Sequence, residues 1–198
     1  MTDNLMPRRP AIHRLLERRT DKLLIVAGLG SAIWDAESAG ENPLNYYLLG
    51  AMGSVVSTAM GLAFAQPDRN VLALTGDAEL MMGLYALPTI GVRRPQNLSI
   101  VCIDNERFGE TGSQVSHTSQ GVDLAGIARA SAIPNVMEVV DEAGVDALRA
   151  AVHSGEGPLF ATVKVSADMP PVVMPIRDGS IGKSRFREAL LGERGLKE

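Results

Sequence analysis

The chain has 198 residues, a formal net charge of −4 and 45 % hydrophobic residues, enough for one domain with a substantial core and short of two comfortable ones. No apolar run is long enough to cross a bilayer, and the interspersed charges give no basic field of the kind nucleic acid requires, so a membrane span and nucleic-acid binding are both excluded. The single cysteine, Cys102, excludes an internal disulfide and a chain-borne iron–sulfur cluster; with an opening stretch of mixed charge and no signal-peptide core, it makes cytoplasm the expected compartment.

In chain order, KLLIVAG (22–28) reads as a buried strand and GSVVSTAMGLAFAQ (53–66) as a helix of small residues able to pack closely. NVLALTG (70–76) is the next strand, and apolar positions at helical spacing predict a helix over 79–93. LSIVCID (98–104) is a third strand, followed by a loop rich in Gly, Ser and Thr over 105–121. A helix over 122–131, a strand over 136–140, a helix over 141–153 and a strand over 158–165 complete the alternation. Strands alternating with helices predict an α/β fold, a parallel sheet flanked by helices on both faces. The remainder, about 166–198, is proline-rich and then basic, and reads as an arm on the surface of a single domain over 1–198, ending in a short helix.

Two polar positions stand at strand ends: Asp77 after 70–76, and Asn105 after 98–104. In open parallel sheets ligands bind at the carboxyl ends of strands, and a right-handed crossover brings both ends to one edge. Asp77 and Asn105 can then aim hard oxygens at one point, which suits Mg²⁺ or Ca²⁺ completed by water and the phosphate oxygens of a ligand. The same residue types are common at strand ends simply as helix caps and turn formers.

The motif GDAE (76–79), followed by DN (104–105), resembles the Gly-Asp-Gly…Asn-Asn signature of thiamine diphosphate enzymes. GAMG (50–53) stands where the decarboxylases of that family carry a glycine-rich turn before a small-residue helix, and DNERFGETGSQVSHT (104–118) resembles the matching loop of sulfopyruvate and phosphonopyruvate decarboxylase small (beta) subunits. The similarity runs over roughly residues 20–190, with Ala78 in place of the signature's second glycine and Asp104 in place of its first asparagine. It implies a thiamine diphosphate-binding fold of the diphosphate-domain type, with thiamine diphosphate and Mg²⁺ as cofactors.

Carried onto this chain, the resemblance implies that Asp77, Asn105 and the Arg107 carbonyl ligate Mg²⁺. Gly76, Ala78, Glu79, Phe108, Gly109 and Thr111 would surround the cofactor, with Gly50 offering its carbonyl to the aminopyrimidine and Met52 propping the bent cofactor, unless Met52 is an ordinary core methionine. Glu79 would repel a diphosphate unless it turns away, and could instead cap its helix. Glu110 and His117 are the catalytic candidates, as a loop acid near the substrate and a proton relay; each could equally be a solvated loop side chain. Thr111 and Gln114 could bond cofactor or substrate, or only their own backbone. Arg177, Lys183, Arg185 and Arg187 could attract an anion or an acidic partner, or form a solvated helix face; Trp34 and His13 suggest packing or surface alone.

A thiamine enzyme also needs a glutamate against the aminopyrimidine, which in this family comes from a pyrimidine-binding domain that 198 residues cannot also hold. The resemblance therefore implies the beta subunit of a heteromeric 2-oxo acid decarboxylase, a hetero-oligomer with a separate pyrimidine-binding alpha subunit and a small 2-oxo acid substrate. A transketolase-type ketol-transfer subunit, which GDAEL also resembles, and a non-catalytic module on the same fold are the alternatives.

Overall fold

The computed structural model describes residues 5–197. Expectations touching residues 1–4, at the start of the opening stretch, and residue 198, at the end of the arm, lie outside the described residues. The chain begins with α1 (Arg8–Leu16), β1 (Leu23–Ala27), α2 (Ser31–Ser38), β2 (Asn45–Tyr47), α3 (Val55–Ala65), β3 (Asn70–Gly76), α4 (Asp77–Met82), α5 (Ala86–Arg93) and β4 (Leu98–Asp104). A hairpin of β5 (Arg107–Phe108) and β6 (Gln114–Val115) follows, then α6 (Leu124–Ala130), β7 (Asn135–Val139), α7 (Glu142–Ser154), β8 (Leu159–Lys164), α8 (Gly179–Leu191) and α9 (Arg194–Lys197).

Six of these strands form one parallel sheet in the order β2-β1-β3-β4-β8-β7, as the alternation predicts. Side chains of successive strand residues point to opposite faces, so each buried strand feeds two cores. Leu23, Ile25 and Ala27 of β1, with Leu72 and Leu74 of β3, meet Ile12, Ile33 and Leu148 from α1, α2 and α7. Leu24, Val26, Val71 and Ala73 meet Val56, Leu87 and Leu124 from α3, α5 and α6 on the other face. Strands buried on both sides must be apolar throughout, which is why they read as unbroken runs.

Several elements differ from the sequence expectation. The helix expected over 79–93 is two helices, α4 and α5. Pro88 has no N–H to give residue 84, and its ring crowds that carbonyl, so one helix cannot run through; as the third residue of α5 it sits where the N–H is unpaired anyway. Gly83, at the break, comes so close to α3's entry loop that a Cβ there would lie 2.2 Å from the Gly53 carbonyl oxygen. The loop 105–121 contains the β5–β6 hairpin. The arm carries a 13-residue helix, α8, ahead of the short last helix α9: Asp178 accepts bonds from the amides of Ser180 and Ile181, and the buried Phe186 ring sits 5.4 Å from Tyr46. Arg185 of the basic run pairs with Glu41 at 2.6 Å, and Arg187 donates to the Gly195 carbonyl at 3.0 Å. Helices α1 and α2 and strand β2 are additional to the sequence expectation.

Helix α1 is fixed by charge as well as by apolar packing. Arg8 is 1 % exposed and donates through Nε to Asp35 Oδ2 of α2 at 2.5 Å; Arg9 Nε reaches Asp35 Oδ1 at 2.8 Å. On the far side, Arg14 pairs with Glu142 and Asp146 of α7. After β8, Ser166 N–H bonds the Met6 carbonyl at 2.8 Å and the Arg8 guanidinium donates to the Asp168 carbonyl at 3.1 Å, which ties the start of the arm to α1.

His153, in the last turn of α7, has a buried Nε2 without a hydrogen-bond partner among the described residues, and burial pushes its imidazole below the ordinary 6.5, with Arg149 and Arg19 adding to the shift. Near pH 6 an unfolded chain therefore binds a proton that the folded one resists, so stability is fullest above pH 6.5 and is lost as pH falls through the folded value. Urea midpoints at pH 7.5 and 5.5 should show a smaller acid loss in His153→Gln than in the parent chain; parallel losses would sink this account. At the end of β1, a Cβ on Gly28 would stand 1.6 Å from Glu79 Oε2, so Gly28→Ala must drive a buried carboxylate from its place. We expect it to cost about 1–3 kcal/mol, and the double variant with Glu79→Ala to lose less than the sum of the singles. Gly50→Ala, with nothing within 4 Å of the new methyl, should leave the melting temperature unchanged.

Candidate functional site

The chain leaves β1 through α2 to one face of the sheet and leaves β3 through α4 and α5 to the other. Neighbouring parallel strands whose connections part in this way open a crevice at their carboxyl ends. That crevice is an open cleft of about 700 Å³, counting the solvent in its mouth. Leu29, Gly30, Ser31 and Trp34 line it after β1; Gly76, Asp77, Ala78 and Glu79 after β3; Asn105 and Arg107 to Thr111 after β4. Met52 enters from the loop before α3, and Arg8 and Met169 also line it.

The sequence-predicted residues Met52, Gly76, Asp77, Ala78, Glu79, Asn105, Arg107, Phe108, Gly109, Glu110 and Thr111 thus share one cleft. Gly50 and His117 stand outside its lining. Gly50 is exposed, two residues before Met52, and His117 is exposed with its ring 6.3 Å from that of Phe108. Thr111 and Gln114 bond each other at 2.8 Å and are exposed.

Asp77 is 2 % exposed and its Oδ2 accepts hydrogen bonds from the hydroxyls of Ser116 and Thr118, the second at 3.2 Å. Thr118 donates its one proton more closely to Asp104 Oδ1, at 2.7 Å. Burial pushes Asp77 up to about 6, the Ser116 bond opposes the shift, and the nearby charge of Asp104 adds to it. Asp104 is held by Lys164 Nζ at 2.8 Å, and Lys164 also takes Glu106 at 2.7 Å, so Asp104 is neutralised within the protein while Asp77 is not. Asn105 Oδ1 accepts from the Arg107 amide at 3.1 Å, which turns the chain into the hairpin.

Glu79 turns inward. Its carboxyl accepts from the Thr75 hydroxyl at 2.8 Å and the Gly53 amide at 3.4 Å, joining the end of β3 to the loop that carries Met52. The Gly76 amide, three residues before it at the start of α4, also favours its charged form, but burial dominates and pushes it up to about 7. Cys102, wholly buried one strand away, has its thiol pushed well up by the same burial, which makes it inert.

A divalent metal fits Asp77 and Asn105 in one respect and not in another. A buried carboxylate with only hydroxyl partners has charge to share, and both side chains present the hard oxygens that Mg²⁺ prefers. Among the described residues, however, no group of three His, Cys, Asp or Glu could hold a metal alone. The donor set therefore fits a metal that draws its remaining oxygens from an anionic ligand and water.

Sequence reasoning missed Arg8, Ser31, Trp34 and Met169 in the lining, and Ser116 and Thr118 on Asp77. Of these only Gly30-Ser31 had a local signal, a glycine turn after a strand with serine opening a helix. Arg8 and Met169 reach the cleft through tertiary contacts alone.

Residues 30–169 match the family model for the thiamine pyrophosphate enzyme, C-terminal TPP binding domain. The chain is 33 % identical over 171 residues, 85 % of its own length and 88 % of the other, to the sulfopyruvate decarboxylase subunit beta of Methanothermobacter thermautotrophicus. It is 34 % identical over 140 residues to the sulfopyruvate decarboxylase of Methanosarcina acetivorans, covering 71 % of this chain and 36 % of that one. Among solved structures, benzoylformate decarboxylase from Polynucleobacter necessarius superposes with a TM-score of 0.66 at 16 % identity over 83 % of this chain and 34 % of that one, a likeness of fold. The chain thus spans about a third of the length of the latter two. With Asp77 and Asn105 inside the matched span, the chain belongs to the thiamine pyrophosphate enzyme family, as a C-terminal TPP binding domain.

Proposed function

We propose that this chain is the diphosphate-binding beta subunit of a thiamine diphosphate-dependent 2-oxo acid decarboxylase assembled from two kinds of subunit. The observation that carries the reading is the pairing of Asp77 and Asn105 in one cleft where β1 and β3 diverge, inside a TPP binding domain. Asp77, Asn105 and the Arg107 carbonyl would hold Mg²⁺ with the diphosphate, and Gly76, Ala78, Phe108, Gly109 and Thr111 would border the cofactor. Bound there, thiamine diphosphate supplies an acceptor for the electron pair left by loss of CO₂.

The rest is done by the protein. Met52 stands on a loop fixed by Glu79 and gives an apolar support at the cleft wall. Glu110, whose carboxyl faces the cleft beside Gly30, is the chain's own group for holding or moving a proton at the substrate. Gly50 and His117, outside the lining, would meet cofactor or substrate only once a partner covers the mouth of the cleft. That partner, in this reading, is a pyrimidine-binding alpha subunit that brings the activating glutamate. Two facts support it: the similar beta subunit is named as one of several subunits, and the single-chain relative extends well beyond the matched region. The substrate class is a small 2-oxo acid, the whole chain acts as one domain, and the free, buried Cys102 suits the reducing cytoplasm.

Calorimetry tests the cofactor half. Thiamine diphosphate should bind in Mg²⁺ and lose at least about tenfold in affinity in EDTA or in Asp77→Ala, because a diphosphate in a partly dry cleft needs its charge compensated. Undiminished binding in either condition defeats the metal role. Turnover tests the partner half: the purified chain with both cofactors should release no CO₂ from 2-oxo acids until the alpha chain is added. Full activity from this chain alone would refute the split site.

A further inference from the structure

We propose that Arg8 is the anion-recognition residue of the cleft, taking a tetrahedral oxyanion on the edge of its guanidinium that the protein leaves free; the identity of that anion rests on the reading above. Arg8 is 99 % buried by its 1 % exposure, yet it lines the cleft beside Ser31, Trp34 and Met169. Nε donates to Asp35 Oδ2 at 2.5 Å and Nη1 to the Asp168 carbonyl at 3.1 Å. Nη2 makes no hydrogen bond among the described residues, and the side chain is part of the cleft's lining.

The local charge points the same way. Asp35 is fully buried and is shared by Arg8 and Arg9, two guanidinium groups on one carboxylate. On Asp35 alone that leaves one positive charge in excess, and the Glu110 carboxylate at Gly30 stands against it. Asp168 does not cancel it within the cleft: its carboxylate is exposed and bonds the Arg8 amide and the Ser166 hydroxyl. Nearby, Glu110 Oε1 lies 3.0 Å from where a Cβ on Gly30 would stand, at the start of α2, so a carboxylate of the chain already sits where α2 favours negative charge. A planar guanidinium presents parallel N–H groups to two oxygens at once, which matches phosphoryl and sulfonyl groups and which a lysine cannot reproduce. The ligand class is therefore an ionised tetrahedral oxyanion: the phosphoryl end of a diphosphate, or the sulfonate or phosphonate end of a 2-oxo acid.

The test uses the full chain in Mg²⁺ and compares inorganic pyrophosphate, thiamine diphosphate and sulfopyruvate by calorimetry. Arg8→Lys and the double variant Arg8→Gln/Asp35→Asn are compared with the parent; the double variant removes both buried charges together, so neither is stranded. We expect at least about a tenfold loss of affinity, the size of one charge-assisted hydrogen bond. Loss for pyrophosphate and thiamine diphosphate assigns the phosphoryl group; loss for sulfopyruvate alone assigns the substrate's acid group. A folded double variant that binds all three like the parent means that Arg8 only neutralises Asp35, and overturns the proposal. Should both variants fail to fold, the assigned Arg8 Nε–H resonance of the ¹⁵N-labelled parent decides: it shifts on saturation with one of the three ligands, or the proposal falls. A parent chain that binds pyrophosphate through Arg8 but not thiamine diphosphate would defeat the proposed function and leave this inference standing.

Discussion

Strands β1 and β3 lie side by side in register from Leu23 opposite Asn70 to Ala27 opposite Leu74, and the chain leaves them towards opposite faces of the sheet. No covering helix can close the gap between two such departures, so the backbone at 28–31 and 76–79 faces a crevice. The cleft is thus a consequence of strand order, present before any side chain in it is chosen. What the side chains decide is its charge, and the glycines at 28 and 53 decide how tightly its floor can be drawn together around Glu79.

The carboxylates at and behind the cleft are unevenly compensated. Asp77 and Glu79 of its lining, and Asp104 behind it, are all nearly inaccessible, and Lys164 compensates only the last. Taking a carboxylate out of water is costly unless hydrogen bonds or cations replace the water, and two of these three have only hydroxyl and amide donors. Both respond in the expected direction, with proton affinities raised by burial. Arg8, also in the lining, shares the buried carboxylate of Asp35 with Arg9. A buried carboxylate without a cation of its own favours one among its neighbours, which is the electrostatic ground for the reading proposed at Asp77.

Legibility in the sequence followed how local each determinant was. Strands β1, β3, β4 and β8 are buried on both faces, so their apolar runs announced them, and small errors of one residue at their ends are all that separates expectation from structure. Strand β2 has three residues, too few for a periodic signal, and the β5–β6 hairpin has two in each strand inside a glycine-rich loop. Helix α1 hides behind its arginines: composition marks RRPAIHRLL as surface, and only the distant Asp35 makes Arg8 a buried residue. In the site, the motif residues Asp77 and Asn105 were readable because their spacing is tied to one crossover. Arg8 and Met169 were not, since they come from opposite ends of the chain and meet only because Met6 bridges Val165 in parallel beyond the sheet.

The same coupling of local and distant determinants governs the loop between β4 and α6. Its two roots are fixed by the carboxylates at the strand ends: Asp104 accepts the Glu106 amide at 3.1 Å, and Ser116 and Thr118 bond Asp77 and Asp104. Its tip, from Thr111 to Val115, is exposed and held by its own hairpin bonds. Asp77 is thereby tied to the loop at its Oδ2, which accepts from Ser116 and Thr118. The segment between these roots carries Glu110 over Gly30. Glu110 and Asp77 are thus connected through one short, hydroxyl-pinned stretch of chain, from Glu110 to Ser116.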